Sequence, residues 1–322
     1  MPACSGRSSV AETAPHTPEI DRAVRVMAAA RRGNPTRVIM RAIAVAEPDV
    51  LLLGATSLLG WSLLRAAPVP VLAVGNRDGA ALPAGIAHGI NLDDELAMVL
   101  LFRAVRPALV IHCAGVCNVE TCERSPAFAR SVNVEGTRIL LRHAPAEARI
   151  VYCSSDHVFG GDHGPYDEAA PTAPISVYGE TRVAAEALVR ARGNSLVIRP
   201  GLWIGPSATG RVGMLDWLRH RHGKQLPMTL VTDEVRSAVW AEDAARRVWE
   251  LARTPLVGVR HLTATRAVAR PALARYLIEH FAPGAAFTVE PRSARRWPHL
   301  GDVTLATRFT DPLAAALPAA SV

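Results

Sequence analysis

From Asp49 onward, short apolar runs alternate along the chain with longer stretches of helical periodicity. The runs that predict buried strands are "DVLLLGA", "VPVLAVG", "ALVIHCAG", "ARIVYCSS" and "SLVIRPG". The stretches between them that predict helices are "SLLGWSLLRAA", "DDELAMVLLFRAV", "PAFARSVNVEGTRILLRHA" and "VYGETRVAAEALVRAR". Continuous apolar strands separated by helices indicate parallel strands, covered on both faces and joined by right-handed crossovers. The pattern therefore predicts an α/β fold built on a doubly wound parallel sheet.

This alternation is confined to the middle of the chain. After Arg199 the spacing is irregular, with loops rich in glycine and proline and two helical segments, "VWAEDAARRVWELAR" and "RPALARYLIEHFA". We therefore expect one domain over residues 49–200, and a small C-terminal lobe over residues 201–322 that returns some segments to the first domain. Residues 1–48, with their polar start and their arginine and alanine content, predict a non-catalytic extension that is poorly ordered or helical.

Composition and charge narrow the range of partners. The 322 residues are 49% hydrophobic and 20% charged, as is typical of a globular protein. The net charge of +7 is concentrated in residues 1–48 and 266–299 and forms no continuous basic stripe, so we expect small anionic ligands and no nucleic acid. The longest uncharged apolar stretch, residues 50–64, is shorter than the roughly 20 residues of a membrane helix, so no membrane partner is expected.

The five cysteines indicate a reducing compartment. Their number is odd, they form no CxxC pair, and no secretory hydrophobic region is found, so we expect a cytoplasmic protein. Cys113, Cys117 and Cys122 are close in sequence, but their spacing differs from that of structural zinc sites and no histidine completes it. We predict no metal site.

The turn after the first predicted strand, "LLLGATSLLGW", carries the first candidate chemistry. Gly54, Ser57 and Gly60 follow a GxxGxxG spacing, with serine in place of the middle glycine. Such a turn lets the backbone approach a pyrophosphate and presents helix N–H groups to its charge. Because ligands bind beyond the carboxyl ends of parallel strands, we interpret residues 49–200 as a dinucleotide-binding domain. Ordinary close packing of a strand and a helix is the alternative interpretation of these glycines.

The turn after the second strand, "VLAVGNRDG", bears on the choice of cofactor. A site for NAD usually offers an acidic residue at this strand end, whereas a site for NADP offers an arginine to the 2′-phosphate. The sequence has Arg77 here and no acid before Asp78. We therefore predict that NADPH is preferred, with NADH as the alternative.

The segments "VYCSSDHVFGG" and "VYGETRVAAE" hold the densest set of candidate catalytic groups. Ser154 and Ser155 end a predicted strand, and Tyr178 and Arg182 lie four residues apart on one face of a predicted helix. A phenol exchanges protons near neutral pH only if a fixed cation favours its phenolate. Arg182 is a candidate for that cation, Tyr178 for the proton carrier, and a serine hydroxyl for the donor to a substrate carbonyl. An ordinary Tyr–Arg contact on an amphipathic helix is the alternative.

At these residues the chain resembles the extended short-chain dehydrogenase/reductases, and within them the dTDP-4-dehydrorhamnose reductase branch of sugar-nucleotide reductases. The resemblance covers about residues 49–320. The first turn is similar to the glycine-rich turn of that branch, "AGVCNVETCE" to its "AAYTxVDxxE", "SSDHVFGG" to "STDYVFDG", and "PYDEAAPTAPISVYGETR" to "PYxExxxxxPxxxYGxxK". The segments "VIRPGLWIGP", "TDEVRSAVWAEDAA" and "RRWPHLGDVTLAT" look like those that surround the sugar nucleotide. The resemblance implies a Rossmann-type doubly wound parallel sheet with a small C-terminal substrate lobe.

The resemblance also implies roles for individual residues. Its catalytic groups correspond to Ser155, Tyr178 and Arg182. The cofactor-binding positions implied are Gly54, Thr56, Ser57, Leu58, Leu59, Gly60, Arg77, Asn91, Ala114, Gly115, Tyr178 and Arg182. The substrate-binding positions implied are Ser155, Asp156, His157, Val119, Glu120, Leu202, Trp203, Arg236 and Arg295. Arg236, Arg295 and Arg296 are the candidate contacts for the diphosphate.

Several positions depart from the family pattern. Arg182 stands where the family has lysine, and its planar guanidinium keeps the charge but is bulkier than an ammonium. Lys224 is the single lysine of the chain, so a general bias toward arginine is one explanation of this exchange. His157 stands at a tyrosine position and His112 at a frequent asparagine position; each can be a proton carrier or a hydrogen-bonded structural histidine. Leu202 replaces a tryptophan on the substrate side.

The sequence favours an NAD(P)H-dependent reductase of a ketone, with the 4-keto group of a nucleotide-diphospho-sugar as the leading substrate. One alternative is a reductase of another small ketone or imine in secondary metabolism, or an epimerase-like use of tightly held cofactor. The other is a non-catalytic dinucleotide-binding regulatory subunit, as in methionine adenosyltransferase. The predicted partner is thus a small-molecule substrate, and a homodimer is left open.

Overall fold

The computed structural model describes residues 48–76, 83, 85–87, 89–162 and 164–319. The predicted N-terminal extension, apart from Pro48, and the candidate cofactor residue Arg77 lie outside the described residues. The strands of the described residues are β1 (Val50–Leu53), β2 (Leu72–Val74), β3 (Ile86–Ala87), β4 (Leu109–His112), β5 (Arg149–Cys153), β6 (Ser195–Pro200), β7 (Leu202–Ile204), β8 (Thr229–Val231), β9 (Val235–Arg236), β10 (Ala238–Trp240), β11 (Gly258–Leu262), β12 (Val268–Ala269), β13 (Thr288–Glu290) and β14 (Asp302–Val303).

Seven of these strands form a parallel sheet at the centre of the described part of the chain. Their order is β11-β6-β5-β4-β1-β2-β3, so the direction of winding reverses between β1 and β4. This order confirms the predicted doubly wound parallel sheet. A crevice at the carboxyl ends of the strands, at the point of reversal, is where ligands bind in folds of this kind.

The helices of the described residues are α1 (Leu58–Arg65), α2 (Glu95–Ala104), α3 (Val119–Arg124), α4 (Pro126–Arg130), α5 (Gly136–His143), α6 (Val177–Arg190), α7 (Met214–Gly223), α8 (Ala241–Ala252) and α9 (Arg270–Phe281). The stretch predicted as one helix from Pro126 is helical throughout to His143, with a π-helical turn at Ser131–Glu135 between α4 and α5. Such turns are frequent at functional sites. Within this part of the chain, no helix combines the length and the apolar character needed to cross a lipid bilayer.

Successive side chains of a strand point to opposite faces of the sheet, so those of the central strands pack into two separate hydrophobic cores. Leu52, Ile111 and Val151 pack on one face with α1 and α8. Their sequence neighbours pack on the other face with α2, α5 and α6. Helix α8 comes from the C-terminal half of the chain, and its Trp249 donates from Nε1 to the carbonyl oxygen of Leu63 at 2.9 Å. The C-terminal half therefore completes the first core.

The remaining strands form small sheets beside the central one. Strand β7 pairs with β10, β9 with β12 and β14, and β8 with β13. Helices α7 and α9 cover them through a third core that includes Leu218, Leu273 and Leu277. Because β11 and α8 belong to the central sheet and its core, segments after residue 200 contribute to both regions. The division into domains at residue 200 stays a prediction.

Candidate active site

The turn after β1 brings backbone against backbone at the point where the winding reverses. Gly54 has φ +89°, and its N–H donates to the carbonyl oxygen of Val74 at 2.9 Å. A Cβ at Gly54 would lie 2.5 Å from the backbone nitrogen of Ala114, and a Cβ at Gly60 would overlap the carbonyl oxygen of Gly54. Both glycines are therefore required by close approach, and the floor of the crevice at this turn is backbone.

Ser57 takes the place of the middle glycine without strain. Its φ is −70°, and its hydroxyl accepts a hydrogen bond from the N–H of Gly60 at 2.9 Å, which caps α1. The N–H groups of Leu58 and Leu59, in the first turn of α1, have no intrahelical acceptor, as in every helix. Together with the helix dipole they favour an anion at this end. Thr56 also lies here, 3.5 Å from Oδ1 of Asn76.

The loop after β4 is held in place by a buried asparagine. Oδ1 of Asn133, in the π-helical turn, accepts from the N–H of Val116 at 2.8 Å, and its Nδ2 donates to Val116 O and to Thr181 Oγ1, both at 2.9 Å. Gly115 has φ +149°, and a Cβ there would lie 2.8 Å from Nη2 of Arg182. Asn133 thus joins the loop after β4 to helix α6, and Gly115 lets that loop lie against the guanidinium.

Helix α6 carries the predicted catalytic pair, and two anchors fix where the helix begins. The carboxylate of Glu123 accepts from the N–H of Val177 at 2.8 Å, and Ser176 caps the helix through the N–H of Gly179 at 3.1 Å. A Cβ at Gly179 would overlap the carbonyl oxygen of His157, so α6 packs directly on the turn after β5. This close approach places Tyr178 beside the serines that follow β5.

The structure brings Tyr178, Arg182 and Ser155 together. The Arg182 guanidinium carbon lies 5.0 Å from the ring centroid of Tyr178. Burial raises the pKa of Tyr178 above the usual value of a phenol, while the charge of Arg182 and contacts with the Ser155 hydroxyl and the guanidinium act in the opposite direction. The Ser155 hydroxyl donates to Asp156 Oδ1 at 3.3 Å and accepts from the His157 N–H at 3.2 Å. Tyr178 therefore carries a proton at neutral pH next to a fixed cation and a hydroxyl.

The two histidines singled out in the sequence are both neutral. His157 lies edge-on to the Tyr178 ring at 5.1 Å, and burial lowers its pKa to about 3. His112 makes a 3.0 Å hydrogen bond through Nε2 with Thr137 Oγ1, and burial, together with the charge of Arg182, lowers its pKa to about 3. Neither ring is a protonated acid at neutral pH.

Asp156 is not free to bind a ligand, because Arg236 donates hydrogen bonds to both of its carboxylate oxygens. Nε and Nη2 of Arg236 donate to Oδ2 and Oδ1 of Asp156, each at 2.6 Å, and Nη1 donates to Glu234 Oε1 at 2.8 Å. The side chains of all three residues are buried. A diphosphate at Arg236 would therefore have to compete with two carboxylates.

The other candidate substrate residues are spread around the site. Val119, at the start of α3, packs on the apolar cluster that contains Tyr178, whereas Glu120 is exposed and pairs with Arg124 at 2.8 Å. Leu202 and Trp203 lie on β7, and the Trp203 indole is buried.

Two further predicted site residues, Arg295 and Asn91, lie nearer the surface of the described part of the chain. Arg295 donates to Thr229 O at 2.6 Å and pairs with Glu290, so it is held among the small sheets. Asn91, which was predicted to bind the cofactor, is exposed in the loop before α2. The roles of all these residues stay predictions.

Two buried polar groups near the site were not singled out in the sequence. The phenol of Tyr152 accepts a hydrogen bond from Arg182 Nη1 at 2.9 Å. Glu186 accepts from Ser154 Oγ at 2.5 Å and from Arg199 at 2.7–3.2 Å, so a buried ion pair contacts the residue before Ser155. A tyrosine within an apolar strand, and a glutamate on the buried face of an amphipathic helix, are the signals that indicate such groups.

The chain is similar in sequence to known proteins. The family described as RmlD substrate binding domain matches residues 48–300. A dTDP-4-dehydrorhamnose reductase of Streptomyces griseus is 32% identical over 241 residues, which are 71% of this chain and 74% of that protein. Methionine adenosyltransferase 2 subunit beta of Pongo abelii is 31% identical over 155 residues, 48% of this chain and 46% of that protein.

A solved structure agrees in fold. It is that of the dTDP-4-dehydrorhamnose reductase of Bacillus anthracis in complex with NADP, which has a TM-score of 0.66 and 20% identity and covers 79% of this chain and 88% of that chain. The shared fold confirms the Rossmann-type arrangement of the sheet.

Proposed function

The chain belongs to the RmlD substrate binding domain family, and we propose that it reduces the 4-keto group of a nucleotide-diphospho-sugar, with a reduced nicotinamide dinucleotide as hydride donor. The observation that carries the proposal is the convergence of Ser155, Tyr178 and Arg182 at the carboxyl edge of the sheet. The name of the Streptomyces griseus relative, which matches 71% of the chain, supports the same reaction.

The residues present suit a dinucleotide. At the point where winding reverses, Gly54 and Gly115 present backbone instead of side chains, and the first turn of α1 points unpaired N–H groups toward the crevice. The Nε of Arg182 is buried without a hydrogen-bond partner among the described residues. An acceptor such as a ribose hydroxyl would satisfy it. Gly54, Ser57, Leu58 and Leu59 would hold the pyrophosphate, and Tyr178 and Arg182 the reactive end.

A bound nicotinamide ring would supply the hydride for reduction. The chain's own residues then have to supply a proton to the carbonyl oxygen as it becomes an alkoxide. Tyr178 carries that proton, because burial keeps its phenol protonated at neutral pH. The Arg182 cation at 5.0 Å stabilises the phenolate left behind, which makes Tyr178 a stronger acid than its burial alone would allow.

Ser155 is the group that orients the carbonyl. Its hydroxyl oxygen is held by the N–H of His157, so its position is fixed before substrate arrives. Its single proton, which points to Asp156 Oδ1 at 3.3 Å, would turn to the substrate oxygen. Arg236 in turn holds Asp156 by two hydrogen bonds. The ion pair therefore connects β9 to the catalytic turn and keeps Ser155 in register with Tyr178.

For the cofactor, we propose a preference for NADPH over NADH. The support is the sequence after β2, which has an arginine, Arg77, of the kind that binds a 2′-phosphate and no acid before Asp78. For the substrate, Arg295 and Arg296 lie outside the buried Asp156 cluster and offer charge to a diphosphate, which at Arg295 would compete with Glu290.

Oxidation of NADPH in the presence of a panel of 4-keto nucleotide sugars tests the proposal. We expect turnover with at least one of them and slower turnover with small ketones that lack the nucleotide. NADPH binding without turnover of any panel member would contradict the proposal and favour a regulatory dinucleotide-binding subunit.

A further inference from the structure

Arg182, at the position of the family's lysine, is buried without a carboxylate partner. Arg182 is 4% exposed, and no ion pair joins it to an Asp or Glu among the residues that the structure describes. A guanidinium in this setting needs neutral groups to orient it. Nη1 donates to the phenol oxygen of Tyr152 at 2.9 Å, and the guanidinium carbon lies 5.8 Å from the Tyr152 ring and 5.0 Å from the Tyr178 ring.

We propose that Tyr152 is a positioning residue that fixes the guanidinium plane of Arg182, and that an arginine at this position needs this contact whereas a lysine would not. An ammonium is compact and can rotate its three donors toward any acceptor. A guanidinium is planar, and its donors point in fixed directions. Once Nη1 is bound to Tyr152, the direction of the other N–H groups is set. The inference rests on the proposed function, because it assigns the cation that serves Tyr178.

Tyr152 is itself held rigidly enough to do this. It lies on β5 and is fully buried, with its ring 5.1 Å from the ring of His112. His112 is bound to Thr137 at 3.0 Å, and Thr137 donates to Asn133 O at 2.7 Å. Burial raises the pKa of Tyr152 to about 12, so it stays a neutral phenol across the physiological range. Tyr152 is thus a fixed, uncharged acceptor for the hydrogen bond from Arg182.

Gly115 restricts the guanidinium on another side. The loop after β4 passes so close that a Cβ at Gly115 would lie 2.8 Å from Nη2 of Arg182. Asn133 holds that loop through Val116. The guanidinium therefore sits between the two tyrosine rings and a backbone loop, and the Tyr152 oxygen sets its rotation within this space.

The test is a double-mutant cycle of Tyr152→Phe and Arg182→Lys, measured by NADPH affinity and by the pH dependence of kcat. With arginine at 182, we expect Tyr152→Phe to weaken NADPH binding several-fold and to lower kcat about tenfold, the size of one lost hydrogen bond to a charged group. The alkaline limb of the kcat profile should move to higher pH, because a misplaced cation favours the phenolate of Tyr178 less. With lysine at 182, we expect Tyr152→Phe to have little effect on either quantity.

Tyr276→Phe, in the C-terminal region away from the site, is the matched control and should change neither quantity. Equal effects of Tyr152→Phe in the arginine and lysine backgrounds would overturn the inference, as would a lowered melting temperature with an unchanged pH profile. Failure of the proposed function would look different. The wild-type chain would then turn over no 4-keto nucleotide sugar, while the coupling in NADPH affinity would still be measurable.

Discussion

Arg236 donates hydrogen bonds from Nε and Nη2 to the two carboxylate oxygens of Asp156, both at 2.6 Å, and the Asp156 side chain is fully buried. The pair joins strand β9, which follows residue 200 in the chain, to the turn after β5 that carries Ser155. Burial raises the pKa of Asp156, and the charge of Arg236 acts against this rise. The position of Ser155, the proposed catalytic serine, therefore depends on an arginine far along the chain.

We predict that Asp156→Asn destabilises the protein by about 1.5–3 kcal/mol, because it removes one of the two carboxylates that pair with the buried Arg236 cation and leaves only Glu234. The free energy of unfolding from chemical denaturation measures this effect. Glu135→Gln is the control, since it breaks an exposed pair with Arg138 and should cost less than about 1 kcal/mol. Equal losses in the two variants would show that the buried pair does not stabilise the fold.

The first turn supplies a second prediction. Gly60→Ala should cost about 1–3 kcal/mol, because its Cβ would overlap the carbonyl oxygen of Gly54 and push α1 away from β1. The same displacement should weaken the thermal stabilisation that NADPH gives. In the control Gly223→Ala, the added Cβ meets open space at the end of α7, and we expect stability within about 0.5 kcal/mol of wild type. Unimpaired NADPH stabilisation in Gly60→Ala would argue against the turn as the pyrophosphate site.

Stability should fall in acid because the folded protein holds two histidines in the neutral form. The pKa of His112 is lowered to about 3 in the folded protein, so below an unfolded-state value of about 6.5 the unfolded chain binds the additional proton. The free energy of unfolding should therefore decrease as the pH falls from about 6.5 toward 3, by up to about 1.4 kcal/mol per pH unit for each such group. His157 acts in the same direction.

The variant His112→Asn should make this pH dependence shallower, since one of the two groups is removed. Denaturation curves at a series of pH values provide the measurement. His220→Asn, at an exposed position on α7, is the control and should leave the slope as in wild type. A slope that is unchanged in His112→Asn would mean that His112 does not stay neutral in the folded protein.

Cofactor preference is tested by ligand-induced stabilisation. At equal concentrations NADPH should raise the melting temperature more than NADH does, because binding to the folded state stabilises it in proportion to the logarithm of the affinity. Arg77→Ala should abolish the difference, while Arg65→Ala, exposed at the end of α1, should preserve it. A larger shift with NADH in the wild-type chain would contradict the preference.

The parts of the fold that the sequence predicted are those with a strong local pattern. The strands of apolar runs such as "DVLLLGA" and "ARIVYCSS", and the helix that places Tyr178 four residues before Arg182, are found as expected. Strand β11 was missed because it lies in a segment without a continuous apolar run and pairs with β6 over a long separation. The π-helical turn at Asn133 was not predicted, and the hydrogen bonds of Asn133 to Val116 and Thr181 join segments that no local pattern relates.

Only part of the candidate site could be predicted from the sequence. Ser155, Tyr178 and Arg182 follow from spacing and from the family resemblance, and the structure brings them together. The partners that orient them do not follow, because Tyr152, Asp156 and Arg236 meet only when separate segments pack. Arg236 was expected to face a diphosphate, and its carboxylate partners could be identified only from the fold.

The most direct test of the central claim is the kcat for NADPH oxidation with a 4-keto nucleotide sugar, compared between the wild-type chain and Tyr178→Phe. If Tyr178 supplies the proton, the variant should lose about 10²- to 10⁴-fold in kcat, and saturating NADPH should not restore the loss. Turnover by the variant at the wild-type rate would contradict the account.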